Sequence, residues 1–70
     1  MNNSYIAIMK QDGDWWIGWE EEVPGVNAQE KSKEALLASL KVILREALEF
    51  NRAEAREFAQ TGYSEEPILI

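Results

Sequence analysis

The hydrophobic period of this chain changes once, at Ser32, and that change limits what the chain can fold into. Beyond it, Leu36, Leu40, Ile43, Ala47 and Phe50 recur at spacings of three and four, with Leu37, Leu44 and Leu48 widening the stripe. This is the pattern of a long amphipathic helix. Before it lie two short runs rich in β-formers, residues 5–10 and 15–20, separated by Gln11, Asp12, Gly13 and Asp14. Asp-Gly suits the positive φ angles of a tight turn, so the two runs read as a hairpin. A small sheet followed by one helix predicts an α+β fold.

The termini of these elements are also legible. Ser32 is a suitable N-cap, with Glu34 in the first turn where a negative charge favours the helix dipole. The helix-favouring residues 52–59 extend it, and Gly62 supplies a stop. Arg45 with Glu49, and Glu49 with Arg52, are spaced for surface ion pairs worth about 0.2–0.5 kcal/mol each. In the second strand, alternation sends Trp15, Ile17 and Trp19 to one face and Trp16, Gly18 and Glu20 to the other. The first set, being the more apolar, is the expected core face. Val23, Pro24 and Gly25 break the pairing, since proline lacks an N–H donor and glycine tolerates unusual backbone angles. Residues 26–29 then suit a short third strand. Pro67, Ile68, Leu69 and Ile70 suit a final strand, added to the sheet of the same protomer or of a neighbour. The expected order is β-β-β-α-β in a single domain over residues 1–70, with a small antiparallel sheet packed on the helix.

At 70 residues the core must be small, because a chain of this size buries only about 60% of the surface it exposes when unfolded. Disulfides, metals or association usually assist such chains. With no cysteine and no histidine, disulfides, thiol chemistry, zinc sites of the usual composition and histidine acid–base machinery are excluded. Self-association, as a dimer or tetramer, or a partner chain is the remaining route.

Seven basic against 13 acidic residues give a formal net charge of −6. Direct nucleic-acid binding is disfavoured, because the lysines and arginines are interleaved with glutamates rather than clustered. A basic protein partner is the complementary expectation. No apolar run approaches the roughly 18 residues that cross a membrane, and residues 1–4 lack a charged signal-peptide start, so a cytoplasmic location is expected.

Catalytic groups are scarce. Asp12 and Asp14 flank Gly13 as turn residues, and the further acidic positions of a calcium loop do not follow. The serines have no histidine to activate them, and the glycines form no phosphate-cradling pattern. Neither an enzyme nor a cofactor is expected. Trp16 with Glu20, Glu21 and Glu22 is instead the expected partner-binding surface, the indole supplying contact area and the carboxylates charge selectivity.

Tyr5, Ala7, Asp12-Gly13, Trp15-Trp16, Pro24-Gly25, Gln29, Ser32 and Glu34-Ala35-Leu36, with Leu40 continuing the helix, together resemble the HicB-like antitoxin family over residues 5–50. The resemblance implies a hairpin or three-stranded sheet on one helix, completed by a C-terminal strand and often dimeric. It also implies binding of a HicA-type toxin, a small basic ribonuclease, whose active surface the antitoxin covers. The chain departs from the family pattern at Val26 and at Glu30-Lys31. Longer members carry a C-terminal DNA-binding domain, whereas here only residues 52–70 follow the core. The strand–helix order also resembles part of an RNase H fold, and a nuclease on that plan would need a magnesium-binding carboxylate cluster.

Overall fold

The computed structural model describes residues 4–70. Its elements run in the order β1 (Ala7–Asp12), β2 (Trp15–Glu20), β3 (Asn27–Glu30) and α1 (Lys33–Ala59). The strands form one antiparallel sheet in the order β1-β2-β3. The fold is α+β, a small sheet packed on one long helix.

The turn chemistry sets the register. Asp12 pairs with Trp15, which leaves Gly13 and Asp14 as a two-residue hairpin turn. Gly13, at its first position, has φ 63°, the left-handed angle that a tight hairpin places on glycine. The corner at residues 23–25 is closed by Val26 N–H donating to the Val23 carbonyl, and Glu20 N–H donates to the Val26 carbonyl at 3.0 Å. The sheet thus begins to re-form one residue before β3.

The helix starts where its cap predicts. Ser32 is extended, and its hydroxyl accepts from Ala35 N–H at 3.1 Å, satisfying one of the orphan donors of the first turn. At the other end Gln60 adopts φ 67° and donates to the Arg56 carbonyl. Glu49 meets Arg52 at 4.0 Å and Arg56 at 3.8 Å; among the described residues the expected pair of Glu49 with Arg45 does not form.

Two expectations are corrected. The face of β2 that meets the helix carries Trp16, Gly18 and Glu20, while Trp15 and Trp19 are exposed on the outside. The core consists of Val26, Leu36 and Leu40, with Ala7, Met9, Trp16, Val23, Ala28, Ile43, Leu44 and Ala47 packed around them. Gly18 explains the choice of face. A Cβ there would lie 2.8 Å from the Ile8 carbonyl oxygen, 3.0 Å from Leu36 Cδ2 and 3.2 Å from Leu40 Cδ1. Bare backbone at this point lets the helix settle on the sheet, and Ala7 and Ala28 on the flanking strands are also small.

The second correction concerns the end of the chain. Residues 67–70 form no strand, and Ile68, Leu69 and Ile70 lie exposed. Without that fifth element, nothing in the fold singles out an RNase H arrangement.

Candidate functional site

The outer face of the sheet is built by the alternation that points Trp16, Gly18 and Glu20 inward. Cross-strand register sets Ile8 opposite Trp19 and Lys10 opposite Ile17 on β1, and Gln29 opposite Ile17 and Asn27 opposite Trp19 on β3. Among the described residues no element covers this face. Trp15 and Trp19 retain 39% and 42% of their accessible surface, and Lys31 Nζ sits 4.2 Å from the centroid of the Trp15 ring. Glu21 N–H donates to the Ile6 carbonyl at 2.9 Å, carrying the β1–β2 ladder one residue further. Alternation then places exposed Glu21 on the same face as Trp19. The result is an apolar strip with Lys31 and Asp12 at the Trp15 end and Glu21 at the Trp19 end.

The four residues expected to form one contact surface are divided by the fold. Trp16 faces the helix and is half-buried beside the core, with Lys33 Nζ 5.9 Å from its ring centroid. Glu20 is only 6% exposed. Its Oε1 accepts from Val23 N–H and so braces the corner. Glu21 and Glu22 remain exposed, and Glu22 accepts from Ile6 N–H at 3.1 Å. Trp16 and Glu20 are therefore structural residues in the free chain, and the exposed indoles are Trp15 and Trp19.

Glu20 and Glu22 act as a pair. Burial raises the affinity of the Glu20 carboxyl for a proton above the ordinary carboxylate value, and its hydrogen bond and like charge with Glu22 add to the shift. Glu22 moves the opposite way, held low by the hydrogen bond from Glu20 and by Ile6 N–H. Glu20 Oε2 is buried with no hydrogen-bond partner among the described residues, which disfavours its charged form in the same direction. The pair buttresses the corner at residues 23–25.

A second concave surface lies between the β1 edge and the helix. Tyr5, Ala7, Glu20, Leu37, Leu40, Lys41 and Leu44 line a groove of about 300 Å³. On the other side of the sheet, Ser39 Oγ donates to Glu30 Oε2 at 2.6 Å and ties the helix to β3. The helix leans toward β3, and the groove beside β1 stays open. Sequence reasoning missed both the exposed indoles and this groove. The glycine inside an aromatic strand was the available signal, because it marks the face of close approach.

Among the described residues no cluster of three or more acidic, histidine or cysteine side chains could hold a metal ion, and no helix is long and apolar enough to cross a membrane. Comparison with known proteins finds no family model, no curated protein and no solved structure that matches the chain.

Proposed function

We propose that this chain is a non-catalytic, antitoxin-like binding protein that neutralises a small basic ribonuclease of the HicA type by covering its cationic surface. The observation that carries the reading is the uncovered outer face of the sheet. Trp15, Trp19, Ile8 and Ile17 form a contiguous strip of large apolar side chains on a rigid sheet, the kind of surface that marks protein association. Glu21, with Glu22 beside it, supplies the negative rim that a basic partner would meet, and the net charge of −6 favours the same encounter. The proposed contact surface thereby keeps Glu21 and Glu22 from the sequence-based set and takes Trp19 in place of Trp16 and Glu20.

Co-expression with the product of the adjacent reading frame tests this. A short basic partner should co-purify, and Trp19→Ala combined with Glu21→Lys should weaken the complex by at least about tenfold. A complex of undiminished affinity in the double variant would remove the outer face as the binding surface. Absence of any basic neighbour would count against the toxin reading as a whole. A stand-alone homo-oligomeric module is the second reading, favoured by the exposed aliphatics at residues 68–70.

A further inference from the structure

We infer that the overhanging half of α1 is a docking ridge for a basic amphipathic helix of a partner protein, gripped by Phe50 and Phe58 with glutamates between and beside them. The inference is independent of the toxin reading, which rests on the outer face of the sheet. It begins where the helix leaves the sheet. Leu44 still lines a groove with Tyr5 and with Glu20 at the end of β2, and Ala47 is the last helical residue packed against the core. From Ala47 to its last residue, Ala59, the helix runs on for about 18 Å past that contact.

The stripe that faces the core does not stop with the core. At about 100° per residue, Phe50, Glu54 and Phe58 continue the line of Leu36, Leu40 and Ala47 to within about 60°. Spaced by four, they make one ridge. Its two rings are 64% and 91% exposed and stand about 12 Å apart along the axis. Asn51, Glu54, Ala55 and Phe58 border a hollow on this side.

Charge is divided across the same stretch of helix. Arg45, Arg52 and Arg56 fall roughly opposite the ridge, where Arg52 and Arg56 are taken up by Glu49 and Glu65. Glu54 within the ridge, and Glu46 and Glu57 on its flank, make no ion pair among the described residues. Acidic and basic residues that alternate in the sequence are thus sorted by the helix onto different sides. The ridge joins large apolar area to uncompensated negative charge, so its partner must bring apolar side chains with lysine or arginine beside them. A helix is the form that fits. The overhang has no free backbone edge to receive a strand, whereas ridges of residues four apart pack into the grooves of another helix.

The probe is an amidated peptide of lysine and leucine patterned as an amphipathic helix of about 18 residues, long enough to span the ridge. Titrated with the full chain at low ionic strength and followed by the anisotropy of a dye on the peptide, it should saturate at one peptide per chain. Phe50→Ala with Phe58→Ala keeps every charge and favours the helix; it should weaken binding at least about tenfold, with the helical circular dichroism retained. Glu54→Gln with Glu57→Gln should weaken it at least about threefold and flatten its salt dependence. No saturable binding by the parent chain, or an unchanged affinity in the alanine pair, would overturn the inference. Loss of the chain's own self-association in the alanine pair, measured by sedimentation equilibrium, would also overturn it, because the ridge would then be a contact between copies.

Discussion

Glu20 shows how one side chain can be read in two ways from the same sequence. As the last residue of an apolar strand beside two more glutamates, it looked like part of an acidic surface; in the fold it is inside, accepting from Val23 N–H, with its carboxyl pushed above the ordinary range by burial and by Glu22. Nothing in the local sequence separates Glu20 from Glu21, because burial is decided by which face of β2 meets the helix. The pH consequence has a definite sign. Glu20 takes up its proton more readily when folded, so it contributes stability below the ordinary carboxylate range and loses that contribution as pH rises through its folded value. Glu22 is shifted down, so its contribution is present above the ordinary range and lost only as pH falls through its lowered value. Glu20→Gln keeps an acceptor for Val23 and offers Glu22 a fixed donor. Urea titrations at about pH 5 and about pH 7 should find the variant stabilised relative to the parent at the higher pH and the difference shrinking at the lower one. An equal effect at both pH values would show that the carboxyl proton is not the cause.

At the scale of elements, most of the architecture could be read and its orientation could not. The period change at Ser32, the cap, the Gly13 turn and the stop after residue 59 all follow from local chemistry, and the structure places them within a residue or two. Alternation likewise told correctly which residues share a face of β2. It could not tell which face the helix would choose, and the expectation followed hydrophobicity. Close packing chose otherwise: Gly18, with Ala7 and Ala28 nearby, gives the helix a shallow bed, whereas Trp15 and Trp19 would hold it away. The last strand failed for a different reason, since apolar residues state a need for cover without naming what provides it. The bed is testable through Gly18→Ala. The added methyl meets backbone at Ile8 and two leucine side chains at 3.2 Å or less, and the backbone atom cannot rotate away. A loss of about 1–3 kcal/mol is expected from denaturant midpoints. A neutral result would mean that the helix sits further from the sheet than the contacts with Leu36 and Leu40 indicate.

At the scale of the whole molecule the imbalance between covered and uncovered apolar surface is the governing fact. Among the described residues three hydrophobic side chains are buried, Val26, Leu36 and Leu40, against thirteen large ones exposed. The molecule measures 51 × 25 × 15 Å, long because the distal half of α1 runs past the sheet with Phe50 and Phe58 at 64% and 91% exposure. A core this small supplies little beyond the conformational entropy it must offset. Stability should then be drawn partly from association, and association obeys mass action. The thermal midpoint is expected to climb by about a few degrees for each tenfold rise in protein concentration. Scanning calorimetry between about 5 and 500 μM, with reversibility checked by a second scan, measures this. If the midpoint does not move with concentration, the isolated chain holds itself together with its indoles, groove and tail all in water, and the exposed surfaces must then be explained by a partner that the folded monomer can do without.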